Sequence, residues 1–204
     1  MSEGTLLQLM NEGGWVMWVL LLFSIATVAV GIERTLAIHR ARIEPRPLLR
    51  QLDRLLSSHC LTEAVQLCRR VGGPIGHMLE GGLLELPRNR ERVEESMETV
   101  ALADLRKLRR GLGVLVATAT TAPLLGFLGT VTGMMSSFQA LVDAGMSDPG
   151  LVALGIKEAL TTTAGGLIVA VPAQLLHQAL NARLTLLEGD LESAANHLLK
   201  RLAS

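Results

Sequence analysis

The sequence predicts an all-α integral membrane protein with three transmembrane helices, the second and third of them long and extending into a helical cytoplasmic region. Three observations predict it. Residues 13–32, 111–142 and 159–182 are runs of 20, 32 and 24 residues without Asp, Glu, Lys or Arg. Charged residues make up only 19 % of the chain against 49 % hydrophobic, with a mean hydropathy of +0.38, where a soluble domain carries about 25 % charge. The basic residues are also unevenly spread: 15 of the 19 Lys and Arg lie between Arg34 and Arg110.

The first run, GGWVMWVLLLFSIATVAVGI, is closed by Glu33 and Arg34. At 1.5 Å per residue it spans about 30 Å, the thickness of a hydrocarbon core. Trp15 and Trp18 stand near its N-terminal end, where amphipathic rings favour the interface. No basic n-region or small-residue cleavage motif precedes it, so a retained helix is expected rather than a removed signal. The other two runs have a different texture, GFLGTVTGMMSS and TTTAGGLIVA. Small side chains let helix backbones approach, and Gly129 and Gly133 form a GxxxG pair. The first helix therefore reads as peripheral and the other two as internal.

Residues 1–14 carry no Lys or Arg, whereas Arg34, Arg40 and Arg42 follow the first run and Arg106, Lys107, Arg109 and Arg110 precede the second. The positive-inside rule then places the N-terminus outside and both the 33–110 segment and the C-terminus inside. The expected organisation is a periplasmic stretch 1–12, a span 13–32, a cytoplasmic helical region 33–110, a span 111–142, a periplasmic loop 143–148, a span 149–182 and a cytoplasmic C-terminal helix 183–204.

Within 33–110, Leu48, Leu49, Leu52, Leu55 and Leu56 recur at helical spacing after Pro45 and Pro47. A short helix from about Thr62 to Arg70 is expected to end at the Gly72-Gly73-Pro74 break. Asn89 can cap a longer helix whose stripe is Val93, Met97, Val100, Ala101, Leu105 and Leu108. No turn signal separates that stripe from residue 111, so the helix is expected to continue straight into the second run. Cys60 and Cys68, eight apart, suit neither a CxxC motif nor a structural metal and read as reduced, incidental thiols. The region has no phosphate-binding loop, nucleophile motif or metal cluster, and the dense Arg and Glu of 88–98 read as a solvated helix face. Equal numbers of acidic and basic residues provide no field for nucleic acid. The expectation is a non-enzymatic membrane protein without a cofactor.

Glu158 is the residue that needs explaining. Asp148 can cap a helix with Pro149 in its first turn, which puts Glu158 ten residues in, about 15 Å from the start. A charge at that depth costs at least ~2.5 kcal/mol unless it is protonated or hydrated. Such a group is suited to taking up and releasing protons. Residues 150–156 ahead of it are apolar, and Thr162 follows at i+4 on the same face. The bland alternative is that the third span begins only at Ala159, which leaves Glu158 in the outer headgroup zone with Lys157. His177, 19 residues further on, marks the cytoplasmic interface, with an exit relay as the alternative.

The stretches APLLGFLGTVTGM (122–134) and GIKEALTTTAGGLIVAVPA (155–173) resemble the ExbB/TolQ/MotA proton-channel family, on its ExbB/TolQ branch. The resemblance covers the whole chain, including the GGWVMW opening, in the short form without the long N-terminal extension of some ExbB proteins; the four-helix MotA form is not matched. It implies a homopentamer in the bacterial inner membrane, surrounding the single-span helices of an ExbD/TolR-like partner dimer and driving a TonB/TolA-like periplasmic protein with the proton motive force. By motif position it puts the channel glutamate on Glu158 and the pore-lining threonines on Thr130 and Thr163, and Thr162, at i+4 from Glu158, joins them on the expected proton path. Gly126, Gly129, Gly133, Gly165, Gly166, Pro123 and Pro172 become the residues that shape the packed helices. Lys157 departs from the family, which usually has a small or uncharged residue there. The leading expectation is TonB-like energy transduction to the outer membrane. The alternatives are a TolQ-like envelope-maintenance or gliding subunit and, in another class, a scaffold that holds the partner and conducts nothing.

Overall fold

The computed structural model describes residues 10, 13–86, 89–144 and 149–203, and among these the chain is helical, without strands. The helices are α1 (Gly14–Ala41), α2 (Pro45–Ser57), α3 (Leu61–Val71), α4 (Gly73–Glu85), α5 (Arg90–Arg109), α6 (Leu112–Ala144) and α7 (Pro149–Ala203). α1, α6 and α7 are long and apolar enough to cross a membrane, as their uncharged runs require, and the chain is a three-span all-α membrane protein. The chain divides into an apolar unit, 1–32 with 112–178, and a charged unit, 33–111 with 179–204.

In the charged unit the Leu stripe of α2 buries Leu48 and Leu52, with Pro at the start of the helix where its missing N–H costs nothing. Asn89 caps α5 by accepting from the Glu91 amide at 3.4 Å, and Val93 and Met97 turn inward. α4 contributes the densest burial, with Ile75, Met78, Leu79 and Leu83 all within 2 % of full occlusion. They meet Cys68 of α3 and Leu187, Leu191, Ala194 and Leu198 of α7 in one core. Both cysteines are free; burial, with a contribution from Glu80, pushes the Cys68 thiol up to about 11, so it stays protonated and inert.

Polar side chains pin the same unit. His77 Nδ1 lies 2.6 Å from one oxygen of Asp104, and Lys107 Nζ donates to the other at 2.8 Å. Burial acts to raise the Asp104 carboxyl, but these hydrogen bonds and the neighbouring charges outweigh it and hold it below the usual carboxylate value. Asp53 of α2 pairs with His197 of α7 at 2.9 Å, and Arg109 of α5 pairs with Glu188 of α7.

α5 does not run on into the second apolar run. It ends at Arg110 with an extended backbone (ψ 131°), and Gly111 adopts φ +93° before α6 begins. That left-handed conformation is accessible to glycine and strained for other residues, so the break signal is Gly111 itself, hidden as the first residue of an uncharged run. The Gly72-Gly73 junction likewise ends α3, but helix resumes at once as α4.

Candidate functional site

The candidate site is assembled where α6 and α7 interlock and α1 begins, and small residues set its dimensions. A Cβ at Gly133 would lie 2.8 Å from the Gly155 carbonyl oxygen, and one at Gly166 2.6 Å from the Ala122 carbonyl oxygen. One at Gly126 would lie 2.9 Å from the Thr162 carbonyl oxygen, and one at Gly129 would overlap the Thr162 hydroxyl. α6 and α7 are thus in close contact along about three turns, running antiparallel, with numbers falling on one as they rise on the other.

The hydroxyls of this seam are spent on backbone. Thr163 donates to the Gly126 carbonyl at 3.1 Å, and Thr162, fully buried, donates to Ala159 O at 2.8 Å with Gly126 O at 3.5 Å. Thr130 donates within its own helix to Phe127 O at 2.6 Å. Ser137 Oγ reaches Gly133 O at 3.1 Å and Val152 O across the seam at 3.2 Å. Pro123 and Pro172 lie inside α6 and α7 and supply no N–H, so the carbonyls of Ala119 and Ile168 lack their helical donors.

α1 packs on a different face of α7, and here the numbers rise together. Gly14 meets Glu158, Met17 and Leu20 meet Gly165, and Gly31 meets Leu176. α1 and α7 are therefore parallel. The level of the first uncharged run corresponds to about 158–176 on α7, some 27 Å of helix. Glu158 lies ten residues into α7, as Pro149 at its start requires, yet it stands level with the first turn of α1. The α6–α7 seam continues beyond that level, through Gly133–Gly155 and Ser137–Val152.

Glu158 is half-buried, and its Oε1 lies 2.8 Å from where a Gly14 Cβ would be. Gly14 has φ +62° and is the first residue of α1, so the carboxylate faces a helix N-terminus with unbonded amides and a partial positive charge. Among the described residues Glu158 has no hydrogen-bond or ion-pair partner. Lys157 is exposed, and its carbonyl accepts from the Thr161 hydroxyl at 2.8 Å. His177 is half-buried one residue past Leu176, level with the far end of the α1 run.

Of the residues singled out from the sequence, the structure brings Thr162 and Thr163 together with Gly126 and Gly129, while Glu158 faces Gly14 instead. Gly165 serves the α1 contact and Gly166 the α6 contact. Sequence reasoning missed Gly14, because a contact 144 positions apart leaves no local signal. It also missed Thr27 and Thr118, whose hydroxyls are buried without a hydrogen-bond partner among the described residues. Thr118 is one of several Thr in its apolar run and Thr27 the single Thr of the first run, and only burial distinguishes them.

The chain is similar to known proteins across this region. Residues 71–193 match the MotA/TolQ/ExbB proton channel family. Biopolymer transport protein ExbB of Neisseria meningitidis is 31 % identical over 90 % of this chain and 88 % of its own length. An ExbB homolog of Methanothermobacter thermautotrophicus is 29 % identical over 89 % of this chain, which spans 64 % of that relative. Tol-Pal system protein TolQ of Haemophilus influenzae is 29 % identical over 84 % of this chain and 80 % of its own.

Proposed function

The chain belongs to the MotA/TolQ/ExbB proton channel family, and from that premise we propose that it is the channel-forming subunit of a proton-driven motor in the bacterial inner membrane, with Glu158 as its proton-binding group. The observation that carries the reading is the carboxylate of Glu158 itself, partnerless among the described residues, although it stands at the edge of the α1 span and not deep within it. A lone carboxylate, free of any partner among the described residues, stands at one end of the α1 span beside the tightly packed α6–α7 seam. There it can meet protons from the outer aqueous phase and still border the apolar region. The N-terminus is periplasmic and the C-terminus cytoplasmic, from the distribution of basic residues.

Five copies surround the spans of an ExbD/TolR-like dimer, which supplies the mobile protonatable group. Each proton crossing about 100 mV releases about 2.3 kcal/mol, enough to bias one conformational step of that partner. No covalent chemistry is required of the chain, which acts as a conduit and not as an enzyme. We assign the output to TonB-like energy transduction; the ExbB relative aligns over more of both chains than the TolQ relative does.

Glu158→Gln preserves size and polarity but cannot ionise. The expected result is normal assembly with the partner and complete loss of partner-driven work, with partial activity retained in Glu158→Asp. A Gln variant that energises the partner at the wild-type level removes the carboxylate from the proton path, and the non-conducting scaffold then accounts for the chain better.

A further inference from the structure

The charged unit carries two unpaired, opposite surfaces on opposite flanks of α7. The first is a groove of about 360 Å³ between α5 and α7, floored by Met97, Leu191 and Leu199 and rimmed by Glu94, Glu98, Glu188 and Glu192. Arg109 already pairs with Glu188. Glu94, Glu98 and Glu192 have no side-chain partner among the described residues. The second surface is α2. Arg46, Arg50 and Arg54 repeat at i, i+4 and i+8 along one exposed stripe, opposite the buried Leu48 and Leu52, and they too lack partners among the described residues. Asp53 beside them is engaged by His197; Glu44 at the head of the stripe is the one other acid there.

The placement of the two surfaces follows from α7. His197 faces α2 and Glu188 faces α5. They are nine residues apart, which at 100° per residue is about 180° around the helix. An acidic groove on one flank and a basic stripe on the other is the requirement of a head-to-tail contact, in which each copy uses one surface toward each neighbour and the set closes into a ring. The spacing agrees as well, since Glu94 and Glu98 recur at the same i, i+4 interval as the arginines.

We propose that the α5–α7 groove of one copy receives the α2 arginine stripe of the next, making this the intersubunit contact of the charged region. The occupant is a second copy of the chain because the complementary surface is present on the chain itself, three free arginines to three free glutamates. The proposal rests on the oligomeric reading above and names the surfaces that build it.

Cross-linking in nanodiscs tests it on the full-length protein. Cys60 is replaced by Ser; Cys68 is buried with its thiol pushed up to about 11 and does not compete. Arg50→Cys and Glu98→Cys on the same chain should give, on oxidation, a ladder of cross-linked species reaching the full ring. Each substitution alone should give none. Independently, Glu98→Arg and Arg50→Glu should each reduce the yield of the ring several-fold, and both on one chain should restore it. An oligomer of unchanged mass with no ladder and no charge-swap rescue overturns this contact alone, and so does cross-linking by either cysteine on its own. Loss of a copurifying partner on Glu98→Arg, with the ring intact, overturns it in favour of a different occupant. A chain that stays monomeric in nanodiscs overturns the ring reading itself.

Discussion

The two units are held together by different means. The charged unit gathers sixteen buried residues from α1 to α5 and α7 into one core, with large side chains such as Leu52, Leu79 and Leu83 fully enclosed. Among the described residues, the apolar unit holds a small buried hydrophobic cluster of Val16, Leu20, Ala122 and Ala170. Its three helices leave most of their apolar residues exposed. Its cohesion comes from glycine-mediated backbone approach, which suits a solvent of lipid chains where apolar burial gives no driving force. One unit is stabilised by what it encloses. The other is stabilised by how closely its backbones meet, and it leaves large apolar side chains such as Leu22, Phe127 and Ile168 exposed.

Substitutions that act on one mode and spare the other sharpen this contrast. The largest effect is expected of Gly166→Leu, because the obstructing atoms are the Ala122 carbonyl and the Gly126 backbone, which cannot move aside as a side chain can. The α6–α7 seam should open and assembly in lipid nanodiscs should be lost, as read by native mass. Gly129→Leu, pressed against the Thr162 side chain, should do the same less completely. If both assemble normally, the seam is not what organises the apolar unit.

Leu79→Ala works in the opposite region. Leu79 is fully buried in the charged core, and its truncation should cost about 2–5 kcal/mol. The melting of the full-length protein in detergent should fall accordingly while membrane insertion is retained. A smaller change is expected of Asp104→Asn. The folded Asp104 carboxyl lies below its ordinary 3.8, so its contribution is present above about pH 4 and lost as pH falls through the folded value. The Asn variant should be less stable near neutrality and should lose less than the wild type on acidification, a difference that thermal melts at several pH values would register. Smallest is Thr163→Ala. The hydrogen bond to Gly126 O spans two membrane helices and is worth about 0.6 kcal/mol, so function should weaken and not vanish.

The same contrast governs what could be read from the sequence. The three spans were legible because twenty or more uncharged residues have no comfortable place in a soluble helix. The Leu stripe of α2 and the Asn89 cap were legible because each is a local pattern. α4 was not: Gly72-Gly73-Pro74 reads as a break, Gly76, Gly81 and Gly82 weaken helix propensity, and its apolar residues follow no single stripe. Tertiary burial makes it the centre of the charged core. The break at Gly111 was hidden by its membership of an apolar run. Glu158 stood out as a charge in an apolar context, but its level in the molecule depends on the pairing of Gly14 with Glu158 and Gly31 with Leu176, and sequence separation conceals both.

The claim that Glu158 binds the transported proton is tested most directly by infrared difference spectroscopy of the full complex with its partner, recorded across a pH step. The account predicts a protonated-carboxyl band that appears on acidification and is absent in Glu158→Gln, with the rest of the difference spectrum preserved. A band of equal intensity in the Gln variant would contradict it and place the proton on another group.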